Sequence, residues 1–124
     1  MSKLGRGDIL IVDDEKGMCH ILKRLLTDEG YTVTTATSAE IALQIIEKES
    51  FDVAMVDIRM PGMDGLTLLD HIRKNTPDTS VIMMTAHATV KNAVDCMRNG
   101  AFDYIMKPFE NDELRLTIQR AAEY

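Results

Sequence analysis

Ile9-Leu10-Ile11-Val12-Asp13-Asp14 is an unbroken apolar run that stops on two acids. A strand that is apolar at every position is covered on both faces, which is the signature of a parallel sheet sandwiched between helices. Working outward, Met18, Ile21, Leu22, Leu25 and Leu26 recur at helical spacing, and Gly30 supplies a stop. Tyr31 to Ala36 is rich in β-branched residues and predicts a second strand. Ser38 is placed to cap a helix carrying Ala42, Ile45 and Ile46. The alternation then repeats. Val53 to Val56 predicts a third strand ending at Asp57, and Pro61-Gly62-Met63-Asp64-Gly65 a loop. A helix with Leu66, Leu69 and Ile72 inward closes before Pro77. Val81 to Met84 is a strand ending at Thr85, and Val90, Ala93, Val94 and Met97 form a helical stripe stopped by Gly100. Phe102 to Met106 is a fifth strand, followed by Lys107-Pro108 and a helix with Leu114, Ile118 and Ala121 inward. Strands alternating with helices imply βαβ units: an α/β fold, a parallel sheet with helices on both faces.

The 124 residues fit one domain, set here at 8–124 behind a flexible stretch at 1–7. The chain stops directly after its last helix, as a piece cut from something longer would. A formal charge of −6, from 14 basic against 20 acidic residues, argues against direct binding to nucleic acid or an anionic membrane. No apolar run approaches the ~20 residues of a membrane span, and residues 1–8 lack a signal-peptide apolar region. Cys19 and Cys96 lie in separate amphipathic segments without a CxxC partner, which predicts two reduced thiols and a cytoplasmic protein.

In an open parallel sheet, ligands bind beyond the carboxyl ends of the strands, near a switch in strand order. Asp13 and Asp14 close the first strand, Asp57 the third, Thr85 the fourth and Lys107 the fifth. Taken singly each has a plain structural role: helix cap, loop start, strand end, solvated charge. Their coincidence at one end of successive strands argues for a site. Two carboxylates about 5 Å apart repel by roughly 3 kcal/mol at an effective dielectric near 20, so three together are costly unless one is protonated or a cation is bound. Hard oxygen ligands without a His or Cys cluster favour Mg2+, which keeps several waters and so leaves an open site. Lys107 offers a point charge to phosphoryl oxygens and Thr85 a hydroxyl. A carboxylate is a competent nucleophile for phosphorus. Asp57, single and directly after an apolar strand, suits that role better than Asp13 or Asp14, and the paired acids suit the metal.

The segments Ile11-Val12-Asp13-Asp14-Glu15, Asp57-Ile-Arg-Met-Pro61-Gly62-Met63-Asp64-Gly65, Met84-Thr85-Ala86 and Lys107-Pro108-Phe109 resemble the receiver domain of bacterial response regulators, in the same order and at the same spacing. The resemblance covers about residues 8–122. It implies a doubly wound, flavodoxin-like five-stranded sheet of order 2-1-3-4-5. It also implies that a sensor histidine kinase phosphorylates Asp57. Asp14 and Asp57 would ligate Mg2+ directly, Asp13 through water, and the backbone carbonyl of Arg59 would complete the set. Lys107 and Pro108 would be joined by a cis peptide. Thr85 and Tyr104 would form the switch, acting on a surface of roughly residues 88–122. Arg59 and His87 either flank the phosphoryl group and prolong its lifetime to minutes, or are solvated side chains without a kinetic role.

The stretches Thr85-Ala-His-Ala-Thr-Val-Lys-Asn-Ala-Val94 and Gly100-Ala-Phe-Asp-Tyr-Ile-Met-Lys-Pro-Phe109 are similar to nitrogen-regulatory activators. Those join a receiver to an output ATPase that remodels alternative-sigma-factor polymerase and to a DNA-binding domain. A phosphorylation-dependent homodimer is left open. Rival readings fit less well. A haloacid-type phosphatase places its two acids two residues apart, whereas Asp13 and Asp14 are adjacent. A flavin binder would need a Ser/Thr/Gly-rich loop after the first strand, and a docking-only receiver would not need the intact set of five residues.

Overall fold

The computed structural model describes residues 6–86 and 89–123. Residues 1–5, which fall in the stretch expected to be flexible, lie outside that range, as do His87 and the side chain of Val90. Ten elements alternate: β1 (Asp8–Val12), α1 (Lys16–Asp28), β2 (Thr32–Ala36), α2 (Ala39–Ile46), β3 (Val53–Asp57), α3 (Gly65–Asn75), β4 (Ser80–Thr85), α4 (Val90–Arg98), β5 (Asp103–Met106) and α5 (Asn111–Glu123). The strands form one parallel sheet in the order β2-β1-β3-β4-β5, as expected from the sequence. The chain leaves β1 for β2 on one side and returns to β3 on the other, so the switch in strand order lies between β1 and β3.

Period-two alternation divides each central strand between two apolar layers. Leu10, Val12, Ala54, Val56, Val81 and Met83 face Ala39, Ala42, Leu68, Leu69, Ile72 and Cys96 of α2, α3 and α4. Ile9, Ile11, Val53, Met55, Ile82 and Met84 face Cys19, Leu22, Leu26, Leu114, Ile118 and Ala121 of α1 and α5. All of these are buried, and each large aliphatic among them contributes about 1.5–3 kcal/mol. Caps fix three helix starts. Ser38 Oγ accepts from Ile41 N–H (3.1 Å), Asp64 Oδ1 from Thr67 N–H (2.9 Å) and Thr89 Oγ1 from Asn92 N–H (3.0 Å). Each is worth about 1 kcal/mol.

Two readings need correction, and the helix-cap alternative for Asp13 and Asp14 falls away. The residue before α1 is Glu15, which caps nothing with its side chain; Asp13 accepts the Glu15 N–H (2.9 Å). Ile21 shares the spacing of the buried α1 residues yet is 61% exposed, because the helix presents Cys19, Leu22 and Leu26 to the sheet. In α4, Val94 (41% exposed) and Met97 (48%) point away from the core, and Cys96, outside the predicted stripe, is buried. Among the described residues no helix is long and apolar enough to cross a membrane. Both cysteines are free and buried.

Candidate functional site: an acidic pocket at the carboxyl rim

The sheet topology carries the ends of β1, β3, β4 and β5 to one rim. Asp13 follows β1 and is held by Ala36 O, which accepts its N–H (3.1 Å). Asp57 ends β3, every residue of which is buried. Oxygens of Asp13, Asp14 and Asp57 all lie within 4.8 Å of one another. Asp13 is fully buried, Asp57 is 7% exposed and Asp14 faces solvent. Lys107, just past β5, reaches into the group. Its Nζ donates to Asp13 Oδ2 (2.6 Å) and Asp57 Oδ2 (3.1 Å) and stands 3.6 Å from Glu15 Oε1. The Lys107 side chain is 8% exposed, and Lys107 and Pro108 are joined by a cis peptide, as expected. Thr85, buried at the end of β4, accepts the Lys107 N–H on its carbonyl (2.7 Å). The five residues singled out by spacing therefore share one rim.

Burial pushes the Asp57 carboxyl up from its ordinary value, and the neighbouring Asp13 charge adds to this; Lys107 opposes both without winning. For Lys107, burial acts to lower the ammonium, but the hydrogen bond and charge of Asp13, then those of Asp57, carry it above its ordinary value. One contact thus favours the ammonium more than the carboxylate. The asymmetry is physical: Lys107 has two close acceptors, whereas Asp57 shares its single cation with Asp13. One ammonium also leaves the three carboxylates under-neutralised. An all-oxygen donor set with one solvent-facing member and an excess of negative charge fits a hard divalent cation.

The loop after β3 completes the rim. Arg59 N–H donates to Asp57 Oδ1 (3.2 Å), while Ile58 N–H donates to Met84 O and Gly65 N–H to Ile58 O (2.9 Å each). A Cβ on Gly65 would overlap the carbonyl oxygen of Asp57 and come within 2.8 Å of Ile58 Cα, so the backbone approaches too closely for any other residue. Tyr104, half-buried on edge strand β5, packs against the α2/α3/α4 layer. His87 lies outside the described residues.

Three participants escaped the sequence reading. Glu15 is a third carboxylate near Lys107. Cys19 Sγ donates to Asp13 O (3.3 Å), bracing the acidic turn from α1. Glu40 Oε2 accepts the Met63 N–H (3.2 Å) from α2.

The family described as the response regulator receiver domain matches residues 9–119. The chain belongs to that family. Relatives of this receiver domain include the transcriptional regulatory protein ZraR of Escherichia coli, 40% identical over 117 residues, covering 94% of this chain and 26% of the relative. The DNA-binding transcriptional regulator NtrC of Escherichia coli is 41% identical over 119 residues, covering 96% and 25%. The receiver domain thus spans about a quarter of the length of these curated relatives. Among solved structures, NtrX from Brucella abortus superposes with a TM-score of 0.90 at 40% identity, covering 95% of this chain and 27% of that one. A CheY-like receiver domain protein from Methanospirillum hungatei superposes at 0.89 with 38% identity, covering 94% and 93%. The second match spans nearly its whole partner, and the first about a quarter of a longer chain.

Proposed function

We propose that residues 8–124 act as a phosphorylation switch in which Asp57 is the acceptor. The observation that carries this reading is the gathering of Asp13, Asp14 and Asp57 oxygens within 4.8 Å of one another, two of the three acids bonded to one buried ammonium. An Asp57 oxygen attacks the phosphorus of a sensor kinase's phosphohistidine. The phosphorus–nitrogen bond breaks with its electron pair left on the imidazole, which takes up a proton. Lys107 Nζ offsets charge on the phosphoryl oxygens, and the Thr85 hydroxyl donates to one of them. Asp13, Asp14, Asp57 and the Arg59 carbonyl would hold Mg2+. When bound, that ion supplies positive charge for the transferred oxygens and relieves the repulsion among the acids.

Phosphorylation adds charge at the rim and biases a two-state element, here Thr85 and Tyr104, which alters the surface over residues 88–122. The chain is a signalling switch, catalysing only its own phosphorylation and slow dephosphorylation. The output it controls is an ATPase and DNA-binding domain of the sigma-54 activator type. Two free, buried cysteines support a reducing, cytoplasmic setting. Arg59 and His87 are expected to extend the phosphoryl lifetime to minutes; decay within seconds in Mg2+ would refute that role.

Acetyl phosphate with Mg2+, followed by intact mass measurement, tests the proposal. One added phosphoryl group, absent in Asp57→Asn, is expected. No gain in the unaltered protein, or an equal gain in Asp57→Asn, overturns the assignment.

A further inference from the structure

The loop between β3 and α3 is anchored at both ends by its own neighbours. Arg59 N–H bonds Asp57 and Met60 is buried at the start; Asp64 caps α3 at the end. Between these anchors one side chain from another element reaches in. Glu40, in the first turn of α2, accepts the Met63 N–H on Oε2 at 3.2 Å across 23 positions of sequence. The same oxygen lies 2.9 Å from where a Cβ on Gly62 would stand, and Gly62 has φ +79°, so the loop tip is shaped to receive the carboxylate. Among the described residues Glu40 pairs with no cation, which leaves the backbone N–H as its partner. A hydrogen bond to an ionised acceptor is roughly twice as strong as a neutral one.

We infer that Glu40 is a positioning residue for the divalent-cation site, acting by holding the tip of the loop whose start keeps the Arg59 N–H on Asp57 Oδ1. The inference rests on the proposed reading of the acidic pocket. Pro61, with its fixed φ, makes Arg59 to Met63 a short, stiff strap. Releasing the strap at Met63 frees Pro61, Gly62 and Met63 to swing and leaves the Arg59 N–H bond to Asp57 to hold the loop start unaided. Glu40 itself touches no ligand.

The test is a Mg2+ titration of 15N-labelled protein followed at the Arg59 and Met63 amides, with thermal melting in EDTA alongside. Glu40→Ala should fold normally, lose exchange protection at Met63 and bind Mg2+ about fivefold more weakly, the worth of one such hydrogen bond. Glu40→Gln keeps an acceptor oxygen without the charge and should stay within about twofold of the unaltered protein. Unchanged affinity in Glu40→Ala overturns the inference and leaves the metal site standing. Equal weakening in Glu40→Ala and Glu40→Gln also overturns it, since charge at a distance would then be the cause. If the unaltered protein gives no Mg2+ response, the pocket reading falls and takes the inference with it.

Discussion

Replacing Lys107 by Met removes the one ammonium bonded to both buried acids while keeping an unbranched side chain that refills its channel. At 2.6 Å and 3.1 Å, and an effective dielectric near 20, the lost attractions are about 6 and about 5 kcal/mol. Desolvation of the ions offsets much of that, and removing one partner of a buried pair typically costs about 3–5 kcal/mol. We expect a loss near the lower figure, about 3 kcal/mol, because Asp14 faces solvent and Asp57 can take up a proton. With a slope near 1.5 kcal/mol/M, the urea midpoint measured at pH 7 in EDTA should fall by about 2 M. The pH dependence has a definite sign. The Lys107 ammonium is raised above its ordinary value in the fold, so its stabilisation is fully present below about pH 10.4 and lost as pH climbs through the folded value. The gap between the two proteins should therefore hold through neutral pH and close in strong alkali. A Lys107→Met protein as stable as the unaltered one in EDTA at pH 7 would refute the account of the pocket as under-neutralised acids on one cation.

Asp57→Asn should do the opposite. Burial raises the Asp57 carboxyl in the fold, so its contribution to stability falls as pH rises through that raised value, and a neutral Asn escapes the penalty. Its melting temperature at pH 7 should exceed that of the unaltered protein by about 2–5 °C, the difference vanishing by about pH 3; a lower value at pH 7 would contradict the desolvation argument. Gly65→Ala forces a Cβ into the backbone of Asp57 and Ile58, and should lose about 3 kcal/mol in urea unfolding. Little change there would show that the β3–α3 turn can relax.

Most of the architecture was legible because β1, β3 and β4 carry unbroken apolar runs, Ile9 to Val12, Val53 to Val56 and Val81 to Met84, and the helices between them carry clear punctuation, such as the Ser38 cap and Gly30. The rim residues were legible because parallel strands bring their carboxyl ends together whatever the intervening length. Helix orientation was less so. Ile21 and Ala93, Val94 and Met97 obey helical spacing, but spacing cannot say which of two apolar stripes a sheet will cover, and in α4 it is the Cys96 side. Glu15, Cys19 and Glu40 were illegible for a further reason: each acts through a contact made only after its helix has docked. A lone Glu in the first turn of a helix looks like an ordinary dipole partner.

The ammonium that steadies the acids is 94 positions from Asp13 and 50 from Asp57, and it arrives only with the last strand. A chain halted before residue 107 holds every acid of the pocket and lacks the Lys107 counterweight to them. Chemical competence is thus reserved for a closed sheet: a copy lacking its fifth strand cannot answer a signal, because the missing strand is the one that brings the cation.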